Sequence, residues 1–305
     1  MHESRHVVEM PKIHALQRRH FLLFDVIPLL IVAATPFYWS SLYRGLPELA
    51  LLFVMWLLTG FGITVGYHRL FTHRSFAASK SVQTVLAVLA SMAGQGGVVS
   101  WVAIHRLHHE KSDGAGDLHS PNLHGEGFLN KARGLLHSHF LWMGKHPYPN
   151  VARYAPDILR AHHLAAVNRR YMWIAAAGLA LPAAVGYGIH GDLRGAVSGL
   201  YWGGILRLLI LEHIIWSINS VLHVCGDRAY QTKENSHNMG ALGLLTLGES
   251  WHNNHHRFAN SPNFGLRWRN LDPGYWVIRA LAACGLASDL RLPDADQIAQ
   301  GSPGS

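Results

Sequence analysis

The sequence predicts an all-α integral membrane protein, with four transmembrane helices in two hairpins capped by a cytoplasmic helical lobe. Three observations carry that expectation. Hydrophobic residues make up 49% of the chain and charged residues only 14%, against about 25% charged in a typical soluble domain. Apolar stretches of about 20 residues, enough to cross a hydrocarbon core of about 30 Å, occur in two pairs. Histidines gather at the ends of those stretches, in spacings that place several imidazoles near one another.

Residues 1–20 form a polar segment carrying Lys12, Arg18 and Arg19. No small-residue cleavage site follows the next apolar run, so no cleaved signal peptide is expected. Residues 21–39 and 46–66 are apolar and joined by a short turn with Arg44 and Gly45, so residues 21–73 read as a first hairpin whose second span continues into His68 and His73. On an ideal helix positions i and i+5 lie about 140° apart, so this pair requires local unwinding to face one point. Residues 81–104 are also apolar. A crossing there would put His68 and His105 on opposite sides of the bilayer, and Gly94-Gln95-Gly96-Gly97 interrupts the run; an interfacial or protein-buried helix is expected instead of a third crossing.

Residues 74–170 make the first part of the lobe, rich in Pro and Gly beyond residue 110. A second hairpin occupies residues 171–223, with spans at 171–190 and 196–218 around Gly191, Asp192 and Arg194, ending in Asn219 and His223 one helical turn apart. Arg207, Glu212 and His213 lie inside the last span and are costly in lipid, so they should face protein or a cavity. Residues 224–305 return to the lobe and close with a tail at 300–305 expected to be disordered. Lys and Arg are dense in the N-terminal, central and C-terminal segments and sparse in the hairpin turns, which puts all three segments on the cytoplasmic side and His190 on the far side.

The histidines carry the chemistry. His105-x-x-His108-His109 and His252-x-x-His255-His256 repeat one spacing, and positions i, i+3 and i+4 share a helix face. Each box is therefore expected to present three nitrogens to a common point. With His68, His73, Asn219 and His223 the set reaches nine histidines and one asparagine, too many for one ion of four to six ligands. Two metals are inferred, and the lobe is expected to hold a dimetal histidine cluster. Imidazole suits iron, zinc, copper and nickel alike. The two cysteines, Cys225 and Cys284, have no metal spacing and imply no disulfide framework.

In order and spacing, these four motifs resemble the membrane-bound fatty acyl desaturases of the stearoyl-CoA and bacterial acyl-lipid Δ9 type, over about residues 46–290. Arg69, Thr72, Arg74 and Ser75 around the first histidines, Arg106 in the second box and Gly248-Glu249 before the third strengthen the likeness. The resemblance implies two irons and dioxygen, and removal of two vicinal hydrogens from a saturated acyl chain to give a cis double bond. It implies iron ligation by His68, His73, His105, His108, His109, His223, His252, His255 and His256, with Asn219 acting through water. By the same likeness Gln95, Trp101 and Trp216 line the bent acyl tunnel, Asp113, Asp117, His119, Ser138, His139 and Glu249 fall where ligands are oriented, and Arg207 orders the site.

Two departures stand out. The animal acyl-CoA enzymes carry an Arg-Asp pair before the second box, where this chain reads Val102-Ala103-Ile104; coenzyme A, lipid and carrier-protein substrates all stay open. The third box has Asn254 where Tyr is common.

No haem domain, iron–sulfur motif or dinucleotide fingerprint is present, so a separate ferredoxin or cytochrome b5-like donor is expected. The net charge of +8 suits an acidic donor or anionic lipid, and nothing points to nucleic acid. Residence in a bacterial inner membrane follows from the resemblance. Hydroxylation or acetylenation at the same site is an alternative reading; a zinc-binding receptor or transporter is a remote one.

Overall fold

The computed structural model describes residues 6–299; the expected tail at 300–305 lies outside them. The fold is helical. Two short antiparallel pairings are its only sheets among the described residues, Val7–Val8 with Tyr148–Pro149 and Ala77–Ala78 with Ala287–Ser288. They fasten the two ends of the chain to the central segments.

Three helices are long and apolar enough to cross a membrane: Leu46–Thr72, Tyr171–His190 and Leu193–His223. The first expected crossing, residues 21–39, is not among them. A helix runs without a break through Pro11–Phe21, Leu22–Val26 and Ile27–Ala33, then stops; Thr35–Phe37 is a tight 3₁₀ turn and Trp39–Leu42 a separate single turn of α-helix. Pro36 has no N–H to continue the ladder, which hydropathy does not register. The helix also starts earlier than expected, so polar residues occupy its first turns.

Residues 81–104 do not form one continuous helix. They divide into Lys80–Ser91 and Val98–Lys111, of 12 and 14 residues, each short of the length a bilayer core demands. Gly94 and Gly96, at φ of +81° and +96°, turn the chain between them. The second hairpin packs closely: a Cβ on Gly186 would come within 2.2 Å of the Gly195 carbonyl, so the two helices meet backbone to backbone.

The Leu46–Thr72 helix changes its winding before it ends. From Gly62 to Thr72 it is π-helical, with i→i+5 bonds, and the His73 amide donates to the His68 carbonyl at 3.1 Å. A π turn stacks residue i+5 near residue i, so this widening supplies the unwinding that His68 and His73 require. Arg106 then caps the helix end, donating to the Phe71 and Thr72 carbonyls at 2.6 and 3.0 Å while pairing through both nitrogens with Asp157. A residue inside the second histidine box thereby fixes the helix that carries the first.

Candidate metal centre

The nine predicted histidines converge into two groups. His68, His73, His105, His109 and His255 form one; His108, His223, His252 and His256 form the other. Within each, the ligand-capable nitrogens all lie within 4.8 Å of one another. The rings of His109 and His256 stack across the boundary at 4.5 Å.

The boxes do not each serve a common point, as expected from sequence. His105 and His109 face the first group and His108 the second; His252 and His256 face the second and His255 the first. The reason is angular. At about 100° per residue, i+4 returns to within about 40° of i, whereas i+3 falls about 60° to the other side. Each box straddles the two groups, and the two boxes are used in opposite senses.

The donor set fits metal ions. Nε2 of His255 lies 3.1 Å from that of His68 and 2.9 Å from that of His109, which is 3.0 Å from that of His105. In the second group His252 Nε2 lies 3.0 Å from His223 and 3.1 Å from His256. Carboxylates accept the outer protons: Glu249 from His68 Nδ1 at 2.5 Å, Asp113 from His223 Nδ1 at 2.9 Å and Asp117 from His108 Nδ1 at 3.1 Å. That fixes those rings with their Nε2 lone pairs turned inward. Several lone pairs meeting at about 3 Å in a buried site cannot all be satisfied by protons, and a shared cation satisfies them.

For six of the nine imidazoles electrostatics point the same way. Burial first, and then the neighbouring imidazoles, hold His73, His105, His109, His252, His255 and His256 well below the ordinary histidine range. They are neutral and available as ligands at physiological pH. Burial opposes the charge on Asp113, Asp117 and Glu249, but their histidine partners outweigh it and keep all three ionised.

Glu249 is itself held from several sides. It accepts from Thr64 Oγ1 and from Arg69, a fully buried guanidinium that also pairs with Asp272 at 2.9 Å, donates to the Pro262 carbonyl and lies over the Phe264 ring. Gly248 permits this: at φ +96° its Cβ would sit 2.0 Å from Asp272 Oδ1. Asn254 is a strut, accepting from Asn238 and donating to the Phe264 carbonyl, which accounts for a buried amide where Tyr is common.

Other expected residues fall differently. Ser138 bonds its own helix, and His139 contacts Ser220 and His213, so neither touches the nine rings. His119 stacks on His108 and Trp142, its Nδ1 3.8 Å from Asp117 and neither ring nitrogen hydrogen-bonded, with burial holding its pKa down to about 3; it orients no ligand through a hydrogen bond. Arg207 is fully buried and donates to the Gly203, Met92 and Gly178 carbonyls. Glu234, 3.6 Å from His256 Nδ1, was not anticipated, since no spacing links position 234 to the third box.

A cavity of about 600 Å³ abuts the first group at His105. Gln95, Trp101, Trp216 and Asn219 all line it, and Trp101 stacks on His105 at 5.1 Å. Both cysteines are exposed and free.

Two groups of converging histidines beside a largely apolar cavity suit oxidation of a hydrocarbon chain, and sequence comparison settles the family. A profile described as fatty acid desaturase matches residues 46–287. The chain belongs to the fatty acid desaturase family. Among curated desaturase relatives it is 33% identical to Delta-9 acyl-lipid desaturase 2 of Arabidopsis thaliana over 88% of this chain and 81% of that one. It is 32% identical to the sn-1 stearoyl-lipid 9-desaturase of Anabaena variabilis over 94% and 97%. Identity rises to 44% with the hex-5-enoyl-[acyl-carrier protein] acetylenase of Moorena producens, over 94% of this chain and 90% of that protein. This desaturase-family chain is thus an oxidoreductase with an acyl substrate.

Proposed function

We propose that this protein is a dioxygen-dependent acyl desaturase that removes two vicinal hydrogens from an acyl chain at two irons. In this reading His68, His73, His105, His109 and His255 hold one ion and His108, His223, His252 and His256 the other, with Asn219 completing one sphere through water. The observation that carries it is the convergence of nine histidines, seven of them buried and His109 and His256 half-buried, in two groups against the cavity, in a chain of this family. Bound there, the irons would supply with dioxygen the oxidising power that no side chain has.

The protein's own part is positioning. Asp113, Asp117 and Glu249 hold the outer protons of His223, His108 and His68, so the inward nitrogens stay basic and aimed. Trp101 and Ile104 form the wall beside His105, and Gln95 and Trp216 complete the passage that would hold the acyl chain against the centre and exclude water. Two electrons must come from a separate ferredoxin or cytochrome b5-like donor.

The same site reads as an acetylenase, acting on an alkene held by a carrier protein, and the 44% identity to such an enzyme favours that substrate class. We place the protein in a bacterial inner membrane, with the 11–33 helix as a fourth membrane helix and both termini and the histidine lobe cytoplasmic. Oxidation assays on hexanoyl and hex-5-enoyl carrier-protein thioesters, with mass spectrometry of the products, separate the readings: an alkene from the first supports the desaturase, an alkyne from the second the acetylenase, and a hydroxy acid contradicts both.

A further inference from the structure

The cavity has an inner end that an alkyl tail does not suit. On the 207–220 helix its lining residues are Glu212, Ile215, Trp216 and Asn219, at i, i+3, i+4 and i+7. Leu208, one turn deeper, is buried and takes no part in the lining. On the 11–33 helix, which runs the opposite way, the lining ends at Asp25. The deepest lining residue on each helix is therefore a carboxylic acid. Asp25 is 3% exposed and Glu212 1%. Asp25 Oδ2, both Glu212 oxygens and Gln95 Nε2 meet no hydrogen-bond partner. The nearest buried cation, Arg207, spends its donors on backbone carbonyls.

Buried polar atoms without partners are rare, and each calls for water or a polar group in the adjoining space. A long alkyl tail pushed past the metal centre would strip that partner away. Glu212 lies seven residues from Asn219, about 10 Å along the helix, so the tail of a chain oxidised at its middle would run past Ile215 and Trp216 and end against Glu212. Resting on the acyl-oxidising reading above, we infer that Asp25 and Glu212 form a polar stop, selecting short acyl chains whose terminus ends at the metal centre and rejecting long saturated ones.

The test is binding, read apart from turnover. Hexanoyl and palmitoyl pantetheine thioesters compete against a fluorescent acyl probe on detergent-solubilised full-length protein, with and without added iron. Wild type should prefer hexanoyl by at least about tenfold, the size of effect that one unsatisfied buried polar group produces. Glu212→Leu should erase most of that preference by tightening palmitoyl binding, while Glu212→Gln keeps it; should Glu212→Leu fail to fold, Asp25→Leu carries the same comparison. Equal binding of the two chains by wild type, or a ratio that Leu leaves unchanged, overturns the polar stop. Selective binding of hexanoyl without oxidation when iron and electrons are supplied leaves the stop standing and removes the acyl-oxidising reading instead.

Discussion

His68 and Glu249 are joined at 2.5 Å, Nδ1 to carboxylate oxygen, although 181 residues separate them in the chain. Through that contact the helix carrying the first histidines is locked to the loop preceding the last. Glu249→Gln keeps the shape and removes the charge, and Gln can still turn its oxygen to the ring. Metal affinity should fall by about 10-fold to 100-fold, the usual cost of losing a partner behind a histidine ligand. Iron retained per chain during dialysis against a weak chelator reads this out.

Gly248→Ala reaches the same site through the backbone. The added methyl would meet Asp272 at 2.0 Å and demand a φ of +96° from an L side chain. Metal content should drop together with thermal stability, whereas in Glu249→Gln stability of the metal-free protein changes less.

His190→Ala tests which end of the bundle matters. His190 pairs with Glu48 at 2.7 Å, and Glu48 lies 20 residues before His68, about 30 Å away along the helix. The variant should keep wild-type iron content and turnover while losing about 1 kcal/mol of stability, because buried Glu48 loses the His190 hydrogen bond and keeps that from Ser198 Oγ at 3.0 Å. Loss of iron from this variant would contradict the placement of the site.

Asp157 should make stability depend on pH. Burial raises its pKa, but hydrogen bonds and charge from Arg106 and Arg74 outweigh this and bring it below the ordinary aspartate range. A depressed carboxylate contributes stability above its unfolded pKa of about 4 and loses it as the pH falls through the folded value. Asp157→Asn should therefore melt lower than wild type near neutral pH, and the gap should close as the pH falls below about 4.

What sequence could and could not say follows from the range of each signal. The histidine set was legible because box spacing is local and survives folding unchanged. How the nine divide was not: it depends on where two helices stand, and only then does the angular offset of His108 and His255 send each to the opposite group. The break at Pro36 was hidden under a hydropathy average that counts Pro as nearly neutral. Asp25 and Glu212 meet one cavity from helices 187 positions apart in the chain, and Glu234 reaches His256 from an irregular loop; no pattern along the chain marks either. The unwinding that His68 and His73 require, by contrast, was visible as a misfit of about 140° before the π-helical turns at Gly62–Thr72 accounted for it.

The central claim is that these imidazoles hold two ions in two separate groups. Iron per chain, measured by elemental analysis on protein from an iron-replete native host, tests it most directly when wild type is set beside His73→Ala, from the first group, and His223→Ala, from the second. The account predicts two irons in wild type and a loss of about one in each variant, with the helical content unchanged. One iron or none in wild type, or two retained in both variants, would contradict it.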